Sequence, residues 1–240
     1  MKAILFDSDG TLVDSEQAHF KAWQYALEKQ GFFLSLEEYF FYVGKSIEAI
    51  GDLFAEKLGK PCAKELVQDK RHHYREVQKK GLPPIQETVD FVRRLALEKK
   101  EKGFLLAVAS ADNREAILVN LDHLGITNCF DLVLSGVDDL REYEDPEGVN
   151  KPKPYIYLHA AKMLGLFPEQ CVAIEDSKTG VVSAVDAGCI VVAVPNACTI
   201  QHDLSYAHLK ITSFKGISPI NFLRMAEDCR TATVAHKKPR

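Results

Sequence analysis

The chain has 240 residues, 46% of them hydrophobic and 27% charged, with a net charge of −4. That composition suits a soluble globular protein with one large α/β domain, or one domain plus an insertion. It excludes a membrane span, because no apolar run is long enough. It also excludes a nucleic-acid binder that works by bulk positive charge.

Met1-Lys2 leads straight into the apolar run Ala3-Ile4-Leu5-Phe6, so no signal peptide is expected. The run reads as a buried strand of a parallel sheet. Asp7 and Asp9 follow at its end, then a turn at Gly10-Thr11, then a helix that Asp14 or Ser15 can cap. In an extended chain residues two apart face one way, so Asp7 and Asp9 can share one small space. Two close carboxylates repel unless a cation or hydrogen bonds hold the charge, and Mg²⁺ is a natural partner. Taken alone, the pair favours a solvated strand-end turn over a metal site, because Asp and Gly are ordinary turn residues.

Four helices are predicted next, over about 15–30, 36–42, 46–58 and 63–80, broken by Gly31, Gly44 and Gly59-Lys60-Pro61. With no strand among them, residues 15–82 form an inserted helical domain. From Leu82 onward helix and strand alternate. Strands are expected at 105–109, 130–134, 171–174 and 190–194, helices at 86–98, 113–124, 154–164 and 178–187. A short edge strand at 209–212 and a last helix at 219–228 complete this part. The domains are thus 1–14 with 83–229, and 15–82. Residues 230–240, with four basic and no acidic residues, read as a disordered tail or a partner-binding arm. The segment 138–147 is acidic and reads as a solvated loop or a cation binder. The cysteines at 62, 129, 171, 189, 198 and 229 form no C-x-x-C pair. Neither a zinc site nor a disulfide framework is expected, Cys129, Cys171 and Cys189 read as small core residues, and a reducing, cytoplasmic setting follows.

Alternation of this kind implies right-handed crossovers and a doubly wound parallel, Rossmann-like sheet, with ligands beyond the carboxyl ends of the strands. Those ends carry Asp7 and Asp9, Ser110, and Glu175-Asp176, and Lys151 opens the helix before the fourth strand. This set suits phosphoryl transfer: one Asp as nucleophile, a second carboxylate as general acid and base, further carboxylates for Mg²⁺, and Ser110 and Lys151 for the non-reacting oxygens.

The stretches DSDGTLVDSE, VASAD, KPKP and IEDSKTGVVSAVDAG resemble, in order, the four motifs of the haloacid-dehalogenase-like superfamily, across about residues 1–196. The helical insertion is similar to that family's four-helix cap, and phosphatases and β-phosphoglucomutase have the most similar pattern. The resemblance implies Asp7 as nucleophile and metal ligand. It makes Asp9 the acid/base, with a carbonyl on Mg²⁺. Ser110 and Lys151 become phosphate binders, and Asp176 and Glu175 metal ligands. Thr11 belongs to the turn behind the pair, and backbone N–H groups near Ser8, Asp9 and Ala111 complete the phosphate cradle. Asp9 favours a phosphate ester over a haloacid.

Substrate choice is expected in the helical domain. His19 and Trp23 lie one turn apart and read either as substrate contacts or as bundle core. Gly44-Lys45-Ser46 resembles the family's specificity loop, where a glycine admits the ligand. Lys45 can meet a substrate anion or stand solvated, and Lys70 can face substrate or belong to a solvated basic face with Arg71 and Arg75. Three features depart from the pattern: the acidic segment 138–147 is longer than the family's usual connection, and two positions differ. Ile47 stands where the mutase has a phosphate-gripping arginine, and Tyr155 stands where aspartate is usual. The expectation is a Mg²⁺-dependent phosphatase of a small phosphorylated metabolite, with no nucleic-acid or membrane partner, as a monomer or weak dimer. A hexose-phosphate mutase and a catalytically idle binding protein are the alternatives.

Overall fold

The computed structural model describes residues 1–43, 45–60 and 63–236. The chain divides into two compact units, one of Met1–Val13 with Pro84–Arg240 and one of Asp14–Pro83.

The first unit is built on a six-stranded sheet of β1 (Ala3–Phe6), β2 (Leu105–Ser110), β3 (Leu132–Ser135), β4 (Cys171–Glu175), β5 (Ile190–Ala193) and β6 (Leu209–Lys210). All pairs are parallel, in the order β3-β2-β1-β4-β5-β6. β1 is central, with Phe6 opposite both Val108 and Ile174. The strand order reverses direction there, so the end of β1 is the switch point where a doubly wound sheet opens a crevice.

Both faces of the sheet are covered, which explains why the strands read as unbroken apolar runs. Ala3, Leu5, Ala107, Ala109, Ala173 and Val191 pack against α7 (Tyr155–Met163) and α8 (Lys178–Asp186). The residues between them, such as Ile4, Phe6, Val108 and Ile174, are equally buried on the other face. Phe91 of α5 (Gln86–Lys102), Phe214 and Phe222 of α9 (Pro219–His236) form an aromatic cluster. Helix α6 (Arg114–Leu124), capped by Asn113, connects β2 to β3.

The second unit holds α1 (Glu16–Glu28), α2 (Leu36–Phe40), α3 (Ile47–Lys57) and α4 (Lys64–Gln78). Its core gathers Trp23, Leu27, Ile50, Phe54, Leu66 and Val67. Trp23 is fully buried with its ring 5.6 Å from that of Phe54, so it is a core residue. Trp23→Ala is expected to destabilise the protein by about 3–5 kcal/mol, read from denaturant unfolding.

Three expectations need correction. Residues 230–236 continue α9 rather than forming a loose tail, while 237–240 lie outside the described residues. Ser15 sits at the N-cap of α1 but already has helical backbone angles and makes no capping hydrogen bond. Cys129 lies half-buried in a 3₁₀ turn rather than in the core, whereas Cys171 and Cys189 are buried as expected. No helix among the described residues is long and apolar enough to cross a membrane.

Candidate active site

The site forms at the end of β1. The Asp7 amide donates to the Ile174 carbonyl at 3.0 Å, extending the ladder one residue past the strand and leaving a nearly buried carboxylate at its mouth. The chain then turns back: the amides of Leu12 and Gly10 donate to the carbonyls of Ser8 and Val13, both at 2.8 Å. Gly10 has φ +76°, and a Cβ there would collide with the Asp176 carboxylate and stand 3.0 Å from the Asn196 amide nitrogen. Glycine is required on both counts.

Lys151 joins three segments. Its ammonium donates to Asp7 Oδ1 at 2.6 Å, Glu175 Oε1 at 2.7 Å and the Ala109 carbonyl at 2.9 Å. These three acceptors use all of its N–H groups. Burial opposes the charge, but the Asp7 and Glu175 carboxylates outweigh it and hold Lys151 above its ordinary pKa. Tyr157 supports the arrangement from below. Its ring lies 5.1 Å from the ammonium and its hydroxyl donates to Glu175 Oε1.

Asp7, Glu175 and Asp176 each offer a carboxylate oxygen within 4.8 Å of the others, and all three are buried. Burial raises the pKa of Asp176 well above its ordinary value, and the negative charges of Asp7 and Glu175 add to this. Burial likewise raises that of Glu175, partly offset by Lys151. Glu175 Oε2 has no protein partner among the described residues. One ammonium faces three carboxylates, leaving excess negative charge among hard oxygen donors. A divalent cation fits that set.

Ser110 ends β2 next to the Ala109 carbonyl that holds Lys151, and its Oγ accepts from the Asp112 amide at 3.2 Å. Ala111 follows it and is exposed. Asp9 is half-buried in the turn, bridged to Val13 through the backbone, and its carboxylate is not part of the acidic cluster. Thr11 is buried, and its hydroxyl has no partner among the described residues.

The acidic segment before Lys151 is tied down, not merely solvated. Asp139 accepts from Arg114, Glu142 from Lys162, and Asp145 from the Tyr155 hydroxyl at 3.1 Å, and Lys153 pairs with Asp145 and Glu147. Asp139, Glu142, Asp145 and Glu147 therefore face cationic side chains of this chain. Tyr155, where aspartate is usual, anchors the loop through Asp145 and packs on Tyr143 with ring centroids 5.0 Å apart.

The helical unit has its own cavity of about 160 Å³, lined by Glu16, His19, Trp23, Tyr39, Lys45 and Lys70 among others. Lys70 is buried rather than part of a solvated face, unlike exposed Arg71 and Arg75. Its Nζ lies 2.8 Å from His19 Nδ1, and the His19 ring stacks on Tyr74 at 4.1 Å. Burial lowers the His19 pKa well below its ordinary value and the Lys70 charge adds to the effect. His19 is thus neutral and accepts from Lys70 through Nδ1, which leaves Nε2 as its donor. Tyr39 donates to Glu16. Ile47 also lines this cavity, and Gly44 lies outside the described residues.

The sequence profile of the haloacid dehalogenase-like hydrolases matches residues 4–194. The chain belongs to this family. It is 34% identical to a phosphoglycolate phosphatase of Aquifex aeolicus, over 78% of this chain and 82% of the relative. It is 28% identical to a 6-phosphogluconate phosphatase of Escherichia coli, over 92% and 93%. The crystal structure of a β-phosphoglucomutase from Clostridium difficile shares the fold at a TM-score of 0.70 and 24% identity, covering 95% of this chain and 98% of that one. Within the family the chain falls with the phosphatases and β-phosphoglucomutases, as a phosphoric monoester hydrolase.

Two residues of this haloacid dehalogenase-like site escape sequence reading. Tyr157 looks like one more apolar position of α7, and only the sheet brings its hydroxyl to Glu175. Asn196 looks like the turn that closes β5, yet it reaches Asp176. The one sequence signal for either is position: Tyr157 lies three residues after the KPKP stretch, and Asn196 lies just past the end of β5.

Proposed function

We propose that the protein is a Mg²⁺-dependent phosphatase of a small phosphorylated metabolite, such as a sugar phosphate or phosphoglycolate, working through an aspartyl-phosphate. The observation that carries this reading is the position of Asp7 at the switch point, 2.6 Å from the Lys151 ammonium and clustered with Glu175 and Asp176. In this reading an Asp7 oxygen attacks phosphorus in line with the leaving alcohol, and Asp9 gives that alcohol its proton. Asp9 then takes a proton from the water that hydrolyses the acyl phosphate. Ser110, Lys151 and the backbone N–H groups around Ser8, Asp9 and Ala111 hold the equatorial oxygens. Asp7, Asp176, Glu175 and the Asp9 carbonyl would hold Mg²⁺, which would supply positive charge to offset repulsion between carboxylate and phosphate.

The helical unit acts as the cap in this reading. Glu16, His19, Lys45, Lys70 and the Gly44 loop read the leaving group, with the His19 Nε2–H and the Glu16 carboxylate suited to sugar hydroxyls. Ile47 supplies no guanidinium for a second phosphate, which favours hydrolysis over a mutase. The test is a panel of phosphoglycolate, hexose, pentose and polyol phosphates, nucleotides and phosphonates, with and without Mg²⁺. Metal-dependent phosphate release from one class is expected. Hexose 1-phosphate isomerised only with a bisphosphate activator would favour the mutase. No turnover of any ester would make the chain a binding protein.

A further inference from the structure

Asn196, in the loop after β5, touches the site without belonging to any motif. Its side-chain Nδ2 donates to Asp176 Oδ2 at 2.9 Å and to the Gly10 carbonyl at 3.1 Å. Its Oδ1 accepts from the amides of Cys198 at 2.9 Å and Thr199 at 3.1 Å. Its own amide donates to Thr199 Oγ1 at 3.0 Å. Two backbone donors on Oδ1 leave only one orientation of the carboxamide, with the NH₂ toward Asp176. The amide is thus locked by its loop and spans two segments far apart in sequence: the turn after Asp7 and the carboxylate after β4. Gly10 is packed into the same corner, since a Cβ there would meet both Asp176 and Asn196.

We propose that Asn196 is the positioning residue of the metal site. It holds the Asp176 carboxylate in one orientation and pins the Gly10 turn against it, so that one Asp176 oxygen stays turned toward Asp7 and Glu175. This inference rests on the reading of Asp7, Glu175 and Asp176 as Mg²⁺ ligands. Partners that orient a ligating carboxylate typically contribute about 10–100-fold to metal affinity or activity. Asn196 makes no contact with the phosphate in this scheme, so its loss should act through the metal and leave substrate KM at saturating Mg²⁺ almost unchanged.

The experiment is calorimetric titration of the full chain with Mg²⁺ alone, for wild type, Asn196→Ser, Asn196→Ala and Thr199→Val, with thermal unfolding of each without metal. A serine at 196 keeps an oxygen for the Thr199 amide but cannot reach Asp176. The expected result is Mg²⁺ binding weakened about 10–100-fold in both Asn196 variants at near-wild-type stability. Thr199→Val, which loosens the same loop and spares the amide, should bind Mg²⁺ close to wild type, because the Thr199 hydroxyl accepts from the Asn196 backbone amide while the contact to Asp176 is made by the Asn196 side chain. Unchanged Mg²⁺ affinity in Asn196→Ser overturns the proposal, as does an equal loss in Thr199→Val. Unfolding of both Asn196 variants would assign the residue to the fold and overturn it too. A wild type that binds no Mg²⁺ overturns the metal reading itself, and this result is distinct from the others.

Discussion

Asp7→Asn is expected to abolish turnover, by at least about 10⁴-fold in kcat, while leaving the protein folded. The amide cannot attack phosphorus to give a hydrolysable acyl phosphate, so the loss should appear at saturating substrate and saturating metal. The fold should survive for an electrostatic reason. Asp7 accepts from Lys151 at 2.6 Å, but it also repels Asp176 and Glu175. Removing its charge relieves that repulsion, and Lys151 retains the Glu175 carboxylate and the Ala109 carbonyl. Thermal unfolding without metal should therefore stay near wild type, and stabilisation by Mg²⁺ should shrink because a proposed ligand has gone. Phosphate release by Asp7→Asn at a tenth of the wild-type rate would remove Asp7 from the nucleophile's role.

Lys151→Met should have the largest effect on stability. It removes the ammonium that pairs with Asp7 and Glu175 and leaves these two carboxylates buried together with Asp176. Stripping one partner from a buried charge cluster costs about 3–5 kcal/mol, and the penalty should be greatest when metal is absent. Mg²⁺ should restore part of it, and activity at saturating Mg²⁺ should remain about 10²–10³-fold down, because in the proposed mechanism a donor to the phosphate oxygens is missing. Glu175 and Asp176 are held above the ordinary carboxylate range of about 4 in the folded chain. A carboxylate with a raised folded value destabilises the fold once pH exceeds its unfolded value, so stability falls as pH rises toward the folded one. Loss of the Lys151 ammonium pushes both carboxylates further up. Metal-free Lys151→Met should accordingly be more stable at about pH 5 than at about pH 8. Chemical denaturation at the two pH values, with and without Mg²⁺, measures this, and equal stability at both would refute the electrostatic account.

The sheet was legible in the sequence because its strands are buried on both faces and stand out as apolar runs between turn residues. The ends of those runs placed Asp7, Ser110 and Glu175-Asp176 on one edge before any coordinates. Helix bounds were legible to within a few residues, except in α9, where a basic, weakly apolar end gave no sign that the helix continues to His236. The acidic segment before Lys151 shows the limit of charge patterning. Its composition suggests a solvated loop, but whether each carboxylate meets water or a lysine depends on residues up to 25 positions away, such as Arg114 on Asp139. Lys70 makes the same point. Its neighbours Arg71 and Arg75 are exposed, whereas Lys70 lies on the buried face of α4, and only the packing of α1 shows that it meets His19 there.

What the sequence by itself determined is the order of elements and the chemical types at the strand ends, since periodicity and turn chemistry are local. What only the tertiary structure decided is which of those groups touch. Lys151 meets Asp7 across 144 positions and Asn196 meets Gly10 across 186. Such contacts follow from the parallel order β3-β2-β1-β4-β5-β6, which sets distant loops side by side. The tertiary structure also decided the charge states, because the shifts of Asp176, Lys151 and His19 come from burial and from neighbours that no local window contains.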